Sequence, residues 1–481
     1  AWANNSWNGM NSYLAAKQDF YTLAQQSGLE HMLFGIEPAY VEEPRGRWKG
    51  QAEFVARPKS TQEVSALVGL CHRHNVAIIP YGGGTGLVGG QLAEDGVIPL
   101  ILSLEKMTKI RAVFPEENVM IADAGAILSD IQAAAENVDR LFSLSLASGG
   151  SARIGGCLAT NAGGVNVLRY GNTRDLCLGL EVVMADGEIW NGLGRLRKDN
   201  TGYDLRHLMI GSEGTLGIIT GASLKLVPRP RDVGVALFTV SNPTAALSLL
   251  ALARDEVGEA VSAFELMSKM GLDFLTETLP DVRQILEDKP EWMVLIELGM
   301  GGAQSASDAL ERLFELGHDA GLVSDGVIAQ SAQQANDIWT IRETIPEANR
   351  RIGSISSHDI SLPLSMIPEF IKVAPSHLEK LCDMRINCFG HLGDGNLHYN
   401  VFPPKGRDKK ELWNLRDEIK RTVHDLVVSM GGSHSAEHGI GRLKVDDLER
   451  YSDPAKLSGL HAIKGALDPK NILNPGAVLR R

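Results

Sequence analysis

Two histidines flank an Asp-Gly pair in the segment His391–Asn400, which reads His-Leu-Gly-Asp-Gly-Asn-Leu-His-Tyr-Asn. An Asp-Gly pair is typical of a two-residue β-hairpin turn. With that turn at the tip, His391 lies directly opposite His398, and Asn400 shares their face of the hairpin. Cross-strand Cβ atoms are about 5 Å apart, so the two imidazoles can bind one ion such as zinc. The spacing predicts a metal site, and the alternative is a hydrogen-bonded pair of surface histidines.

A metal site built on two imidazoles needs a third protein ligand. The best candidate segment is Ser435–Gly441, in which Glu437 and His438 are adjacent in a loop flanked by glycine. His434, just before this segment, is a further candidate. Taken alone, an adjacent glutamate and histidine are more typical of a solvated surface. The loop is therefore a candidate for metal binding only in combination with the histidine hairpin.

A second kind of chemistry is indicated by glycine. The segment Pro80–Gln91 is glycine at every position from 82 to 90 except for a threonine, a leucine and a valine. Such a run lets backbone N–H groups turn toward one phosphate, and a Cβ at Gly84 is expected to block that path. The segment matches the dinucleotide fingerprint after the predicted strand Val76–Pro80, but no helical period follows it. We expect a phosphate loop of another kind, and the alternative is a glycine turn without a ligand.

Two further glycine-bearing loops, Ser148–Gly164 and Gly211–Ile219, follow in the same half of the chain. Two glycine-rich loops in one domain indicate phosphate binding more strongly than one loop does. The elements that must position them are a helix beginning at the capping box Ser60–Glu63, a strand, a second helix and a hairpin. After the capping box, the predicted bounds are Val119–Ala124 for the strand, Leu128–Glu136 for the helix, and Leu180–Met184 with Glu188–Trp190 for the hairpin.

The prolines Pro228 and Pro230 mark a boundary, because proline disfavours both helices and central strands. Beyond them, strands alternate with helices, which predicts a second α+β domain. The predicted strands are Val233–Val240, Val261–Leu266, Trp292–Leu298 and Gly321–Ile328, and the predicted helices are Pro243–Ala253, Lys269–Leu275, Ser305–Leu316 and Ala332–Arg351. The last helix carries Arg342, for which an exposed ion pair with Asp337 or Glu343 is the ordinary expectation.

Together, the three glycine segments resemble the flavin-binding domain of the vanillyl-alcohol oxidase, or PCMH-type, flavoprotein family. The resemblance extends over essentially the whole chain and is greatest to the FAD-dependent D-2-hydroxy acid dehydrogenases, which act on D-2-hydroxyglutarate or D-lactate. It implies an α+β fold with a PCMH-type FAD-binding domain over residues 1–229 and a ferredoxin-like substrate cap domain over residues 230–430. A C-terminal helical segment, residues 431–481, would contribute to the active site and return to the flavin.

The resemblance implies that FAD is bound through the three glycine segments. The pyrophosphate would lie on the first two segments, and the adenosine and isoalloxazine would lie beside the third. Since neither phosphate loop contains a histidine, we expect the flavin to be bound non-covalently. The implied cofactor-binding residues are Pro80, Gly82, Gly83, Gly84, Thr85, Gly86, Leu87, Gly90, Ser151, Gly155, Gly156, Thr160, Asn161, Gly163, Gly164, Glu213, Gly214, Gly217, Ile219 and Asn474.

The resemblance also implies a catalytic site with a divalent metal, Zn²⁺ in the first place or Mn²⁺. The implied metal ligands are His391, His398 and Glu437, and the implied catalytic residues are His438, Arg342 and Asn400. His438 would take the hydroxyl proton of a 2-hydroxy acid while hydride leaves for the flavin. Arg342 would bind the α-carboxylate through its planar fork, which lysine cannot match.

Three functions stay open at this stage. The first is oxidation of a D-2-hydroxy acid to the 2-oxo acid, with D-2-hydroxyglutarate ahead of D-lactate and other monocarboxylic acids. The second is a metal-dependent hydrolase with a regulatory nucleotide on the glycine loops. The third is a nucleotide-binding module without enzymatic activity.

Two positions depart from the pattern of the hydroxyglutarate dehydrogenases. These enzymes generally carry a lysine where this chain has Ser357, so the clamp for a distal carboxylate is in question, with the neighbouring His358 as a possible substitute. Their C-terminal Asn-Pro-Gly-Lys motif ends here in Ala477, while Asn474 is kept and is expected to reach the flavin.

The amino-acid composition limits the classes of partner and the compartment that we expect for this chain. A formal net charge of −12 disfavours binding to nucleic acid or to an anionic membrane surface. The five scattered cysteines predict a reducing, cytoplasmic compartment. We find no apolar run of membrane-spanning length, and Ala1–Asn11 lacks the features of a signal peptide. The expected partners are a small D-2-hydroxy acid, an electron acceptor such as an electron-transfer flavoprotein or a quinone, and a second copy in a homodimer.

Overall fold

The computed structural model describes residues 19–43, 46, 49–93, 96–286 and 288–480. The segment Ala1–Asn11 lies outside these residues. The first half of the chain forms two main sheets around a large hydrophobic core, with a separate small cluster of Tyr40, Val41, Val55 and Ile101. The first sheet, in the order β1-β2-β4-β3, comprises β1 (Leu33–Gly35), β2 (Phe54–Ala56), β3 (Ile78–Tyr81) and β4 (Leu100–Ser103).

The second sheet is antiparallel, in the order β5-β6-β10-β8-β9, and a two-stranded pair of β7 and β11 lies beside it. Its strands are β5 (Ile110–Phe114), β6 (Val119–Asp123), β8 (Cys177–Val183), β9 (Ile189–Gly192) and β10 (Ile218–Lys225), and the pair is β7 (Arg140–Leu141) with β11 (Val227–Pro228). The predicted hairpin is confirmed, since Val183 pairs with Ile189 across the Asp-Gly turn.

The helices of this half are α1 (Asp19–Gln26), α2 (Thr61–His74), α3 (Leu128–Glu136), α4 (Ile154–Thr160), α5 (Val167–Tyr170) and α6 (Leu205–Met209). At the predicted capping box, the Ser60 hydroxyl accepts a hydrogen bond from the Glu63 N–H at 3.2 Å. The Glu63 carboxylate accepts from the Lys59 N–H at 2.6 Å instead of from the N-cap residue. This helix leads into β3, so it fixes the start of the first glycine segment.

One loop prediction is partly wrong, because α4 forms inside the second glycine segment. Gly155 explains why a helix fits there. A Cβ on Gly155 would lie 2.7 Å from the Cβ of Ala124, so glycine alone lets the helix backbone approach the adjacent sheet. The second segment therefore presents one turn, a short helix and a second turn instead of a continuous loop.

The second half is built on one antiparallel sheet of seven strands, in the order β15-β12-β14-β13-β17-β18-β16. The strands are β12 (Asp232–Val240), β13 (Val261–Ser268), β14 (Trp292–Met300), β15 (Val323–Ile328), β16 (Ser356–Ser361), β17 (Arg385–His391) and β18 (Asn396–Phe402). The first four have the 4-1-3-2 order of a ferredoxin-like unit, and three more strands extend it at one edge. The predicted α+β class is confirmed.

Helices cover both faces of this sheet, and a separate hydrophobic core lies on each face. The helices of the second half are α7 (Pro243–Val257), α8 (Lys269–Thr278), α9 (Ala306–Asp319), α10 (Ala332–Ile352), α11 (Ile367–Leu378), α12 (Arg416–Ser429), α13 (Val445–Tyr451) and α14 (Pro454–Leu467). Of these, α14 packs against the core of the first half, through Ile463 and Leu467. The face covered by α8 and α10 also carries polar residues of β13, β17 and β18 at the strand ends, and these form the candidate site described below. Among the described helices, none has the length and apolarity needed to cross a lipid bilayer.

The chain finally returns to the first half. The Ile78 N–H donates to the Ile472 carbonyl at 2.7 Å, and the Asn474 N–H donates to the Ile78 carbonyl at 2.8 Å. Ile472 and Leu473 are fully buried in the core of the first half. The C-terminal residues thereby lie beside β3, next to the first glycine segment.

Candidate active site

The two histidines of the predicted metal site converge, with ring centroids 5.5 Å apart. Their predicted register is wrong, because Phe389 and not His391 lies opposite His398. The connection is longer than two residues, since Leu392–Asp394 form a turn of 3-10 helix before Gly395. The register differs from the predicted one by two residues, which is the side-chain period of a strand. His391 therefore stays on the same face as His398, as a diagonal neighbour.

A buried glutamate that the sequence did not point to holds this histidine. Glu265 lies directly opposite His391 in the sheet, and its Oε1 accepts a hydrogen bond from His391 Nδ1 at 2.7 Å. Its Oε2 accepts from Arg342 Nε at 2.8 Å. Burial alone would lower the pKa of His391, but the Glu265 carboxylate raises it to about 9. Nε2 of His391 is consequently turned toward Glu437, whose Oε1 lies 3.5 Å away.

A second buried carboxylate, Asp359 on β16, holds the loop that carries the other candidates. Its Oδ2 accepts hydrogen bonds from the backbone N–H groups of Glu437 at 2.9 Å and His438 at 3.0 Å. The same oxygen lies 3.4 Å from His438 Nδ1. Asn396 Nδ2 donates to the other oxygen at 2.9 Å. Asp359 is directly opposite His398 in the sheet, so it ties the loop to the histidine hairpin.

The three predicted metal ligands are brought together. The ligand atoms of His391, His398 and Glu437 all lie within 4.8 Å of one another. Burial, reinforced by the positive charge of His391, lowers the pKa of His398 to about 3, so this imidazole is neutral. Burial also raises the pKa of Glu437. A Cβ on Gly163 would lie 3.1 Å from Glu437 Oε1, so the ligand set adjoins the second glycine segment.

Arg342 is buried on α10 instead of lying in an exposed ion pair. Neither of the two acidic residues near it on the helix pairs with it, and Asp337 instead lies 3.3 Å from Arg283. The guanidinium stacks over the ring of Phe389 at 4.8 Å from its centroid. Within the described residues, only Glu265 accepts a hydrogen bond from it, through Nε. The two terminal nitrogens are therefore available for a carboxylate.

Asn400 and Ser357 lie opposite each other on the same face as His398. Asn400 is buried, whereas Ser357 is exposed and its hydroxyl lies 2.8 Å from that of Ser354. His358 is on the other face of the sheet, where its Nδ1 lies 3.3 Å from His424 Nε2. The expectation that His358 can replace the missing lysine is therefore wrong, because strand side chains alternate between faces.

The predicted cofactor residues lie on three adjoining segments. The loop that begins in β3 carries Pro80, Gly82, Gly83, Gly84, Thr85, Gly86, Leu87 and Gly90; α4 and its flanks carry Ser151, Gly155, Gly156, Thr160, Asn161, Gly163 and Gly164; the turn leading into β10 carries Glu213, Gly214, Gly217 and Ile219. The first two segments meet where the Gly82 Cβ position would lie 3.4 Å from the Gly156 Cα. The first and third meet where the Gly214 Cβ position would lie 2.8 Å from Pro80.

Not all of these glycines face open space. At six of them a Cβ would collide with protein atoms, so packing within the protein is enough to require glycine: Gly83, Gly84, Gly155, Gly164, Gly214 and Gly217. Gly84 has φ of +70°, and its Cβ would collide with the Tyr81 hydroxyl, so glycine is already required here by the backbone and by this tyrosine. That a side chain at Gly84 also blocks the phosphate path stays a prediction. At Gly156, apart from its own helix, the Gly82 Cα at 3.9 Å is the only atom of the described residues within 4 Å of the Cβ position.

Glu213 and Asn474 join the segments through their side chains. The Glu213 carboxylate accepts hydrogen bonds from the N–H groups of Ile440 and Gly441, both at 2.7 Å. Asn474 Nδ2 donates to the carbonyls of Gly90 and Glu213, both at 2.9 Å, and its Oδ1 accepts from Arg442 at 2.9 Å. Both N–H bonds of the Asn474 side chain are used within the protein, so this residue positions the loops instead of donating to a ligand.

Two family models match this chain. The model of the FAD-linked oxidase C-terminal domain matches residues 229–478, and the model of an FAD-binding domain matches residues 52–192. The chain belongs to the FAD-linked oxidase family. A mitochondrial D-2-hydroxyglutarate dehydrogenase of Arabidopsis thaliana is 37% identical over 433 residues, covering 90% of this chain and 76% of that protein.

A bacterial relative of this FAD-linked oxidase, a D-2-hydroxyglutarate dehydrogenase of Xanthomonas citri pv. viticola, is 34% identical over 459 residues, covering 94% of this chain and 96% of that protein. Among solved structures, p-cresol methylhydroxylase with substrate bound has a TM-score of 0.74, with 98% of this chain and 97% of that chain covered at 17% identity. That similarity shows the fold. The predicted PCMH-type fold and the predicted FAD-dependent oxidoreductase are confirmed.

The residues of this oxidase fit FAD. The open position at Gly156, between two glycine segments whose backbones approach each other, is a cradle that a side chain would fill. The second segment contains α4, whose first two N–H groups, those of Ile154 and Gly155, donate to carbonyls of the protein. The first segment follows β3 as a glycine loop, whose backbone can turn N–H groups toward phosphate. The third segment and the C-terminal residues close the same region through Asn474.

The residues also fit a divalent metal ion. Two imidazoles and one carboxylate are an ordinary ligand set for zinc, and an open fourth position is typical of catalytic sites. The hydrogen bond from His391 Nδ1 to Glu265 is the kind of contact that orients metal-bound histidines. His398 is neutral, which is the form that binds metals, whereas His391, whose pKa is raised by Glu265, would release its Nε2 proton when a metal binds there.

Proposed function

We propose that this FAD-linked oxidase oxidises D-2-hydroxyglutarate to 2-oxoglutarate by transferring hydride from C2 to FAD, with a divalent metal in the site. The observation that carries the proposal is the convergence of His391, His398 and Glu437 beside Gly163 of the second glycine segment. This arrangement puts groups that bind a hydroxy acid next to the segments that hold a flavin. The names of the two dehydrogenase relatives support the choice of substrate.

Bound FAD supplies the hydride acceptor, and a cation held by His391, His398 and Glu437 supplies a Lewis acid for the substrate oxygens. His438 accepts the hydroxyl proton. Asp359 beside its Nδ1 favours the tautomer with the proton on that atom, so Nε2 is the basic nitrogen.

Arg342 binds the α-carboxylate of the substrate. Its Nε is held by Glu265, and its two terminal nitrogens offer the parallel donors that a carboxylate accepts in bidentate fashion. The ring of Phe389 beneath the guanidinium restricts its rotation. The arginine is thus positioned before the substrate arrives, which reduces the entropy lost on binding.

A second candidate substrate class is favoured by Ser357. This residue lies on the face of the site and has no charge that could pair with a distal carboxylate. A monocarboxylic D-2-hydroxy acid such as D-lactate would need no partner at this position. D-2-hydroxyglutarate stays first because of the similarity of the whole chain to its dehydrogenases.

Anaerobic reduction of the bound flavin tests the proposal. The holoenzyme is mixed with D-2-hydroxyglutarate, D-lactate or D-malate, and bleaching of the visible flavin absorption is recorded. We expect the fastest bleaching with D-2-hydroxyglutarate. Bleaching by none of the three would overturn the proposed reaction, and fastest bleaching by D-lactate would favour the second class.

Chelation tests the role of the metal. Treatment with a strong chelator in metal-free buffer should abolish substrate-driven bleaching while the flavin stays bound, and added Zn²⁺ or Mn²⁺ should restore it. Bleaching at an unchanged rate after chelation would remove the metal from the proposal. The electron acceptor, the homodimer and the cytoplasmic location stay predictions.

A further inference from the structure

A second cluster of metal-binding residue types lies on the opposite face of the seven-stranded sheet. Its members are His424 on α12, His434 just before the loop Ser435–Gly441 that carries Glu437 and His438 (the catalytic loop), and Asp447 on α13. All three residues are buried, and one ligand atom from each lies within 4.8 Å of the others. His358 belongs to the side of the sheet that faces this cluster and not to the candidate active site.

Polar atoms of this cluster are left without ordinary partners. Nδ1 of His424 and Nδ1 of His434 are buried and have no hydrogen-bond partner among the residues that the structure describes. A buried polar atom without a partner costs about 1–3 kcal/mol, so such atoms are uncommon in folded proteins. An ion at the cluster would satisfy Nδ1 of His424, which faces Asp447, and it would bind one ring nitrogen of His434.

The geometry suits an ion of the zinc type. His424 Nδ1 lies 3.7 Å from Asp447 Oδ2. A tetrahedral ion with bonds of about 2.1 Å holds its ligand atoms about 3.4 Å apart, so this pair is already close to the required separation. Two imidazoles and one carboxylate match the ligand preference of zinc, and they do not match the all-oxygen preference of calcium or magnesium.

The other ring nitrogen of His424 has the contact expected of a metal-bound histidine. Its Nε2 lies 3.3 Å from Nδ1 of His358, which is itself buried on β16. A hydrogen bond from Nε2 to His358 fixes the tautomer of His424 that has a lone pair on Nδ1, the atom facing Asp447.

Two lysine side chains lie beside this cluster, and their positive charge opposes the binding of a cation. Lys420 Nζ lies 2.6 Å from Asp447 Oδ2. In this structure the lysine therefore neutralises the carboxylate that the proposed ion would bind. The Lys420 side chain is 28% exposed, and it can turn to solvent when the carboxylate binds a cation. Lys444 donates to the carbonyl of His434 and to the hydroxyl of Ser435, both at 3.1 Å.

We propose that His424, His434 and Asp447 bind a second divalent cation of the zinc class, which braces the catalytic loop from behind. The two ends of that loop supply two of the ligands, because His434 precedes Glu437 by three residues and Asp447 lies on the helix that follows the loop. An ion here would hold both ends of the catalytic loop in place without contacting the substrate. The inference does not depend on the substrate or on the reaction proposed above.

Crystals of the holoenzyme grown with Zn²⁺, measured above and below the zinc absorption edge, give a direct test. We expect two anomalous peaks per chain, one among His391, His398 and Glu437 and one among His424, His434 and Asp447. A peak at the first set alone overturns the inference. A peak at the second set alone leaves the inference standing and removes the metal from the proposed function.

Metal counting in solution provides the second measurement. After dialysis against Zn²⁺, the wild type should hold two ions per chain, whereas Asp447→Asn and His434→Gln should each hold one while keeping the flavin. The control His461→Gln, at an exposed position on α14, should hold two. A variant count equal to the wild-type count in both variants, whether one ion or two, overturns the inference, and the anomalous peaks decide if a variant fails to fold.

Discussion

The buried carboxylate of Glu265 accepts a hydrogen bond from Nδ1 of His391 at 2.7 Å, directly across two neighbouring strands. Its second oxygen binds Arg342 at 2.8 Å. One side chain therefore orients both the metal ligand and the arginine proposed to bind substrate. Because the Glu265 carboxylate is fully buried, water cannot take its place when a mutation removes it.

Glu265→Gln should weaken metal binding by about 10- to 100-fold, because glutamine keeps the shape but loses the charge that orients His391. Competition for Zn²⁺ against a chromogenic chelator measures this change. The control is Glu297→Gln, a largely buried glutamate in the same sheet whose Oε2 accepts a hydrogen bond from Trp339 at 2.9 Å. Equal Zn²⁺ affinity in both variants would show that Glu265 has no part in the metal site.

The sequence identified the face of the sheet that carries the site but not the register. The Asp-Gly pair predicted a two-residue turn, and the structure inserts a turn of 3-10 helix instead. The error was two residues, so His391 and His398 stayed on one face. An error of one residue would have put the two histidines on opposite faces.

The supporting carboxylates were not predicted, because their partners are distant in the chain. Glu265 is 126 residues from His391, and Asp359 is 78 residues from Glu437. A signal was present for Glu265, which is the only charged residue in the otherwise apolar or small strand Val261–Ser268. A lone acid in a buried strand needs a positive partner. The glycine segments were easier to find, because their chemistry is local in sequence.

Asp359→Asn should slow flavin reduction by about 100-fold or more, because it removes the charge beside His438 Nδ1 that favours the correct tautomer. Rapid-mixing absorbance under anaerobic conditions measures the rate. The double variant with His438→Gln should be no slower than His438→Gln alone, because the two residues act as one unit. Independent, multiplying losses would show that Asp359 does not act through His438.

Gly156→Val should reduce FAD retention by about tenfold or more, because its side chain would enter the open space between the two glycine segments. The flavin-to-protein absorbance ratio after gel filtration measures retention. The matched control is Gly150→Val, since nothing lies within 4 Å of a Cβ at this nearby exposed glycine. A fully yellow Gly156→Val protein would show that FAD does not lie between these segments.

Ser357→Lys tests how the distal carboxylate of the substrate is held. Ser357 lies opposite Asn400 on the face of the site, and it is exposed enough to accept a long side chain. A charged hydrogen bond contributes about 1.5–3 kcal/mol, so kcat/KM for D-2-hydroxyglutarate should rise by about tenfold or more while that for D-lactate changes little. Ser357→Met adds similar length without charge and should give no such gain. If D-2-hydroxyglutarate is already the best substrate and Ser357→Lys leaves its kcat/KM unchanged, another residue holds the distal carboxylate, and the interpretation of Ser357 is wrong.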